Sequence, residues 1–179
     1  MIVESKLIEI YRDASNFFYN DTHNKTQKSK HWKRYDLVDF TEENLINFRN
    51  DSKLSRYLDD QTDSFFFKIY AKIINKISEE YVLKNLSKKN VGNSNCLIPY
   101  KEVLVDYNKL IHIYWFWLLE NKILKNNKVN NVCEIGGGFG SLAELFLKNY
   151  DAKFILIDLP EANLMSAYYL KQFFPDKKF

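Results

Sequence analysis

The chain concentrates its glycines immediately after one short apolar run. The stretch VCEIGGGFGS, from Val132 to Ser141, contains four of the five glycines in the 179-residue sequence, and the helical pattern SLAELFLKNY follows. Glycine lets the backbone adopt positive φ and lets a ligand approach without a Cβ atom in the way. The first turn of the helix behind it presents free N–H groups. A strand that ends in such a turn and leads into a helix is typical of a nucleotide-binding site.

The spacing of these glycines separates two classes of nucleotide ligand. A dinucleotide-binding turn has the pattern G-x-G-x-x-G or G-x-G-x-x-A. Counted from Gly136, the last position of that pattern falls on Ser141 and does not fit. The pattern that fits is an acid followed by alternating glycines, and its members are Glu134, Gly136, Gly138 and Gly140, with Gly137 between them.

A second acid follows the next predicted strand, KFILID. Asp158 ends that strand, 18 residues after Gly140. A carboxylate there can accept hydrogen bonds from both ribose hydroxyls of an adenosine, and dinucleotide-binding folds place an acid by the same logic. Asp158 alone therefore does not separate the two ligand classes. Its alternative role is to cap the following helix, and Glu134 has the alternative role of an ordinary charge at a strand exit.

The glycine motif resembles the first motif of class I S-adenosylmethionine-dependent methyltransferases. The resemblance implies that the turn wraps the amino-acid and ribose part of S-adenosylmethionine and that Glu134 anchors its charged end. Because Asp158 lies at a strand end, we expect Asp158→Ala to weaken cofactor binding in a full-length parent protein and hardly to change its folding. An NAD-binding oxidoreductase is the alternative. The cofactor-binding residues implied are Glu134, Gly136, Gly137, Gly138, Gly140, Asp158 and Leu159.

The segment IDLPE, from Ile157 to Glu161, adds a finer resemblance. Acid-Leu-Pro beside a GGG-aromatic-G turn is similar to small-molecule O-methyltransferases. Together with the N-terminal region, the chain looks most like the sugar O-methyltransferases of bacterial surface-polysaccharide clusters. The segments SKHW (29–32) and TEENLINFRND (41–51) look like that family's N-terminal region. The resemblance implies methyl transfer to a sugar or glycan acceptor in polysaccharide biosynthesis.

Two regions differ in their sequence pattern. Residues 1–127 read as helices joined by polar loops, with Thr41 as an N-cap and a long helix after Pro99. Residues 128–179 read as strand, helix, strand and helix, and Pro160 opens the last helix. The order predicts an α/β fold: a helical N-terminal region, then two parallel strands and two helices that begin a parallel, helix-covered sheet. The resemblance implies that this sheet is the first half of a Rossmann-like class I methyltransferase sheet. The face predicted for the first helix comprises Leu7, Ile10, Tyr11, Ala14, Phe17 and Phe18.

The family fold implied by the resemblance has a seven-stranded sheet, and the sequence contains two of its strands. Two parallel strands are not expected to form a stable sheet by themselves. We therefore expect an N-terminal fragment without methyltransferase activity and with weak or undetectable cofactor binding, whose catalytic base lies beyond residue 179. The alternative from another class is a non-catalytic interaction module that assembles through its helices, and a homo-oligomer is compatible with either.

Composition and charge exclude several functional classes. The net charge is +3, and the 26 basic and 23 acidic residues are mixed along the chain, unlike the footprint of a nucleic-acid binder. The densest basic segment, 25–34, reads as a solvated loop. The longest apolar run, Ile111–Leu119, is too short to cross a membrane, and no signal sequence is recognisable. Two cysteines form no disulfide framework. These features predict a cytoplasmic protein without nucleic-acid partners.

Few other residues are candidates for chemistry. His31 reads as a loop residue, and His112, in a strongly apolar helix, as a hydrogen-bonded core histidine. Asp59 and Asp60 are adjacent, so their carboxylates would diverge in a helix, and a turn or cap is the better interpretation. Cys133 lies in the first predicted strand and should be a buried, inert thiol. The histidines and cysteines show no metal-ligand spacing, so no metal site is predicted.

Overall fold

The computed structural model describes residues 2–20, 39–51, 54, 75–125 and 127–177. These ranges contain six α-helices, one π-helical turn and four strands. The helices are α1 (Ile2–Asn20), α2 (Glu42–Ile46), α3 (Glu79–Asn85), α4 (Tyr107–Leu119), α5 (Ser141–Asn149) and α6 (Pro160–Phe173). The strands are β1 (Leu97–Tyr100), β2 (Val103–Asp106), β3 (Asn131–Ile135) and β4 (Lys153–Ile157), and the π-helical turn (Glu120–Leu124) continues α4. None of the helices in these ranges combines the length and apolar composition that a membrane crossing requires.

Strands β3 and β4 form the parallel pair that the sequence predicts. Their register runs from Asn131 opposite Lys153 to Ile135 opposite Ile157. Helix α5 connects the two strands and α6 follows β4, so the predicted strand–helix order is confirmed. The chain is thus a mixed α/β structure with one parallel strand pair. That this pair begins a Rossmann-like sheet remains a prediction.

The N-terminal region contains a β-hairpin that the sequence patterns do not predict. Strands β1 and β2 pair antiparallel, and Pro99 lies within β1. Lys101 closes the tight turn between them with a φ of 55°. The helix expected after Pro99 therefore begins only at Tyr107, where the Asp106 side chain accepts a hydrogen bond from the Asn108 N–H at 3.0 Å. The described part of residues 1–127 therefore contains a hairpin as well as helices.

Two features of the predicted helices have different outcomes. Thr41 caps α2 as predicted, and it shares a reciprocal capping box with Asn44. The face predicted for α1 is wrong in part, because Ile10 and Phe17 are exposed. The buried side chains of that helix are Ile8, Tyr11 and Ser15, and of these Tyr11 belongs to the predicted face.

Two hydrophobic cores hold these elements together. The first packs α1 and the segment around Phe48 against α6, and Phe139 of the glycine turn is one of its members. The second packs α3, the hairpin and α4 against α5. Each core contains residues from both sides of residue 127, the boundary expected between the two regions. The N-terminal region therefore forms part of the surroundings of the glycine turn.

A buried ion pair joins the three helices that lie around this turn. The Lys109 ammonium of α4 is paired with the Glu144 carboxylate of α5, and both side chains are almost completely buried. The Tyr169 hydroxyl of α6 donates to the same carboxylate at 2.9 Å. Burial lowers the pKa of Lys109, although Glu144 opposes that shift. The network fixes α4, α5 and α6 relative to one another.

The strand pair has one covered face and one bare face. Val132, Glu134, Phe154 and Leu156 point toward the helices and are half-buried. The alternate residues of both strands point the other way, with exposures of 81% for Ile135, 58% for Ile155 and 51% for Ile157. Cys133 lies on the bare face and is exposed, so the prediction of a buried thiol is wrong. That prediction assumed that both faces of the strand are covered.

Candidate functional site

The glycine turn, residues 136–140, follows β3 and is bonded to the end of β4. The Gly136 N–H donates to the Ile157 carbonyl at 2.9 Å, and the Gly140 N–H donates to the Gly137 carbonyl at 3.1 Å. The φ angles of Gly136, Gly138 and Gly140 are +74°, +57° and +86°. These left-handed conformations favour glycine, which explains the alternating pattern in the sequence.

The four glycines differ in what a side chain would meet. A Cβ atom on Gly137 would lie 2.9 Å from Leu156 and 3.0 Å from the Glu134 carboxylate, and one on Gly140 would lie 3.2 Å from Ser166. At Gly136 and Gly138 a Cβ atom would meet nothing within 4 Å. The turn therefore packs tightly through Gly137 and Gly140 and leaves open backbone at the other two. Open backbone is what the approach of a nucleotide cofactor requires.

Asp158 is bonded directly to the glycine turn. Its Oδ2 accepts a hydrogen bond from the Gly138 N–H at 2.8 Å, and its Oδ1 accepts one from the Leu159 N–H at 2.8 Å. The N-cap of α6 is Leu159, and no side chain caps that helix, so the alternative role of Asp158 as a helix cap is wrong. The two bonds give Asp158 a structural role, which corrects the expectation that Asp158→Ala hardly changes folding.

Glu134 reaches the turn from β3 and is less well satisfied. Its Oε2 atom is buried and has no hydrogen-bond partner among the residues that the structure describes. Burial raises the pKa of Glu134 to about 7, and repulsion from the Asp158 carboxylate contributes to the rise. The site thus contains two neighbouring carboxylates, and only that of Asp158 has backbone donors on both oxygens.

Phe139 fixes the turn to the rest of the protein, and the sequence patterns gave it no role. Its ring is buried, and it packs edge-on against Tyr169 with 5.0 Å between ring centroids. The Arg49 guanidinium carbon lies 4.5 Å from the ring centroid, and Phe48 and His112 complete the surroundings at 6.0 and 6.2 Å. The sequence feature that could have indicated this role is a single aromatic residue among glycines, because a turn without other side chains has no other side chain to pack against the protein.

The structure brings all the predicted cofactor residues into one continuous group. Glu134 lies near the end of β3 and Asp158 directly follows β4, the glycines lie between them along the chain, and Leu159 contributes the N–H that holds Asp158. The group combines open backbone with two carboxylates at one end of the strand pair. It can therefore offer acceptors to the hydroxyls and the positive charge of a ligand.

The remaining candidates are not part of this group. The pKa of His112 is lowered to about 4, mainly by burial, and a backbone hydrogen bond with Asn108 opposes the shift, in agreement with the interpretation as a hydrogen-bonded core histidine. His31, Asp59, Asp60 and the segments 25–34 and 29–32 lie outside the described residues. Within those that are described, no three histidine, cysteine, aspartate or glutamate side chains are grouped to bind a metal.

A separate groove of about 590 Å³ lies along β4. Lys153, Phe154, Ile155 and Leu156 line it together with residues of α6, and no residue of β3 does. The groove therefore follows the edge of β4 that faces away from β3. The glycine turn does not line it, so it is not the candidate cofactor site.

No protein-family model matches the chain, and no curated protein or solved structure is significantly similar to it. The motif and the geometry of the turn are therefore the features that point to a function.

Proposed function

We propose that the chain carries the cofactor-binding part of a class I S-adenosylmethionine-dependent methyltransferase. The sugar O-methyltransferases of surface-polysaccharide biosynthesis are the members that its motifs resemble. The observation that carries the proposal is the pair of carboxylates, Glu134 and Asp158, beside an open glycine turn.

The charge of the site favours a cationic ligand. Burial raises the pKa of Glu134, and repulsion from the Asp158 carboxylate raises it further. A positive ligand group would relieve this repulsion and would pair with the buried Oε2 atom of Glu134. A pyrophosphate would instead add negative charge beside two carboxylates. The site is therefore better suited to an ammonium or sulfonium than to a dinucleotide.

Each residue of the group has a distinct part in this proposal. Glu134 would hold the positive amino-acid end of the cofactor, and Asp158 would accept from the ribose hydroxyls with the lone pairs that its two N–H donors leave free. Gly136 and Gly138 would let the cofactor lie against the backbone. When bound, S-adenosylmethionine supplies a methyl group activated by its sulfonium. We assign no catalytic base.

One observation favours the NAD-binding alternative. Helix α5 begins behind the turn with Gly140 as its N-cap and without a side-chain cap. An uncapped helix N-terminus attracts a phosphate group. Asp158 fits the ribose of either cofactor.

A titration followed by NMR tests the proposal directly. We expect S-adenosylhomocysteine to shift the amide resonances of Gly136 and Gly138 at lower concentration than NAD does. The expected binding is weak, and NMR detects dissociation constants in the millimolar range. Adenosine lacks the amino-acid part of the cofactor, so its binding distinguishes the contribution of Glu134 from that of Asp158. Glu134→Gln should weaken binding of S-adenosylhomocysteine but not of adenosine, whereas Asp158→Asn should weaken both. Tighter binding of NAD would contradict the proposal.

A further inference from the structure

The glycine turn has a single side chain by which the rest of the protein can hold it. Residues 136–140 read GGGFG, so Phe139 alone projects beyond the backbone. The glycines on either side of it adopt left-handed conformations, and the turn is held by this side chain together with the backbone hydrogen bonds of Gly136, Gly138 and Gly140. The packing of Phe139 must therefore contribute much of what defines the position of the turn.

The surroundings of Phe139 come largely from the N-terminal region. Phe48 and Arg49 belong to the loop after α2, and His112 belongs to α4. Of these neighbours, Arg49 is held in place by a buried ion pair. Its side chain is 1% exposed, and both terminal nitrogens donate to the Asp106 carboxylate, Nη2 to Oδ1 at 3.0 Å. A planar guanidinium held in this way can present its flat face to a ring.

The partners of Arg49 are themselves fixed. The Asp106 carboxylate accepts from the Asn108 N–H at the start of α4, so it is anchored to that helix. The backbone N–H of Arg49 donates to the Gly92 carbonyl at 3.0 Å. A Cβ atom on Gly92 would lie 2.7 Å from the Arg49 side chain, so this loop closes tightly over it. Arg49 is thus part of a rigid wall against which the ring of Phe139 rests.

We infer that Arg49 is a positioning residue for the cofactor turn, which it holds through the ring of Phe139. The inference rests on the proposed function, because it assigns to the N-terminal region control over cofactor affinity. Arg49 does not touch the cofactor. It fixes the one side chain of the turn, which acts together with the hydrogen bonds of the Gly136 and Gly138 N–H groups to set where their open backbone lies.

The variant Arg49→Lys tests the inference, because it keeps a positive charge for Asp106 and loses the planar group. We expect shifted amide resonances for Gly136, Gly138 and Gly140 without ligand, and an affinity for S-adenosylhomocysteine lowered about threefold to thirtyfold. Arg12→Lys is the matched control, since Arg12 forms an exposed ion pair with Asp39 at 3.5 Å, and it should change neither quantity.

A merely structural role for Arg49 predicts a different result. The variant would then have a lower melting temperature, but in the cold, where it stays folded, its glycine amides and its affinity would match those of the wild type. That outcome would overturn the inference. Phe139→Leu provides a second route, because it should produce the same amide shifts, and Arg49→Lys should add little to the loss of affinity in that background.

Two further outcomes remain decisive. If the wild type binds no S-adenosylhomocysteine, the proposed function fails, while the ligand-free glycine amides still decide whether Arg49 positions the turn. If Arg49→Lys does not fold, Phe139→Leu decides through the same amides. Unchanged Gly136 and Gly138 resonances in folded Phe139→Leu would contradict the inference.

Discussion

Glu134, near the end of β3, and Asp158, directly after β4, differ in how the protein satisfies their carboxylates. Asp158 accepts one backbone hydrogen bond on each oxygen. The Oε2 atom of Glu134 is buried without a partner in the described part of the chain. A buried carboxylate without donors is costly to ionise. Glu134 is therefore better suited to binding a ligand than to stabilising the fold.

The first prediction concerns the stability of Glu134→Gln as a function of pH. The pKa of Glu134 rises from 4.5 to about 7 on folding, so the folded protein holds an extra proton between these values. Raising the pH across this interval favours unfolding of the wild type. Allowing for partial exposure, Glu134→Gln should be more stable by about 1–2 kcal/mol at pH 8 and equally stable at pH 4. Urea denaturation at both pH values measures this, and equal stability at pH 8 would contradict it.

The second prediction concerns Asp158→Ala. The substitution removes the acceptor of two backbone N–H groups, so the free energy of unfolding should fall by about 1–3 kcal/mol. Asp158→Asn retains one acceptor oxygen and should lose less. Thermal denaturation of both variants provides the measurement. If Asp158→Ala is as stable as the wild type, the bond to Gly138 is not maintained in solution.

The third prediction separates folding from ligand access at Gly138. Asparagine tolerates the left-handed conformation better than most residues, and Gly138 has a φ of +57° with open space around it. Gly138→Asn should therefore cost about 1 kcal/mol of stability and reduce binding of S-adenosylhomocysteine at least tenfold, which calorimetry or NMR can measure. The matched contrast is Gly92→Asn, which would collide with Phe48 and should impair folding itself. Undiminished binding by Gly138→Asn would place the ligand elsewhere.

The fourth prediction concerns the buried pair of Lys109 and Glu144. Lys109→Met leaves the carboxylate buried with the Tyr169 hydroxyl as its hydrogen-bond donor among the described residues, and it should cost about 3–5 kcal/mol. Adding Glu144→Gln should recover much of this loss, because the amide carries no charge and can still accept from Tyr169. Denaturant unfolding measures both. The exposed pair Lys101–Glu79 provides the control, since Lys101→Met should hardly change the unfolding midpoint.

The fifth prediction concerns the bare face of the strand pair. Exposed apolar patches promote association, and Ile135, Ile155 and Ile157 form such a patch. The double variant Ile135→Ser and Ile155→Ser should self-associate less than the wild type in sedimentation velocity. Its stability should change little, because both side chains are more than half exposed. A wild type that is monomeric at high concentration would contradict the prediction.

Much of the strand–turn–helix unit could be predicted from the sequence because its signals are local. The glycine pattern, the two short apolar runs and Pro160 each act within a few residues of the structure they specify. The same applies to Thr41, whose side chain binds Asn44 in the first turn of α2. Propensity and capping determine such features, and they need no knowledge of the tertiary fold.

The features that escaped prediction depend on contacts between distant parts of the chain. The ion pair of Arg49 and Asp106 joins residues 57 positions apart, and no periodicity indicates it. The hairpin turn contains Lys101 and Glu102, which lack the Asn-Gly or Asp-Gly signal of a two-residue hairpin. The exposure of Cys133 depends on which sheet face is covered.

The bare face also has a consequence for how accurately the strands find each other during folding. A strand with one polar face resists slipping by one residue, because slippage would expose its apolar side chains. In β4, slippage would bring Ile155 and Ile157 to the covered face in place of Phe154 and Leu156, so that face would remain apolar. The bonds from the Gly136 N–H to Ile157 and from the Gly138 N–H to Asp158 depend on the native alignment. These two bonds of the glycine turn therefore stabilise the native pairing relative to a slipped one before any ligand binds.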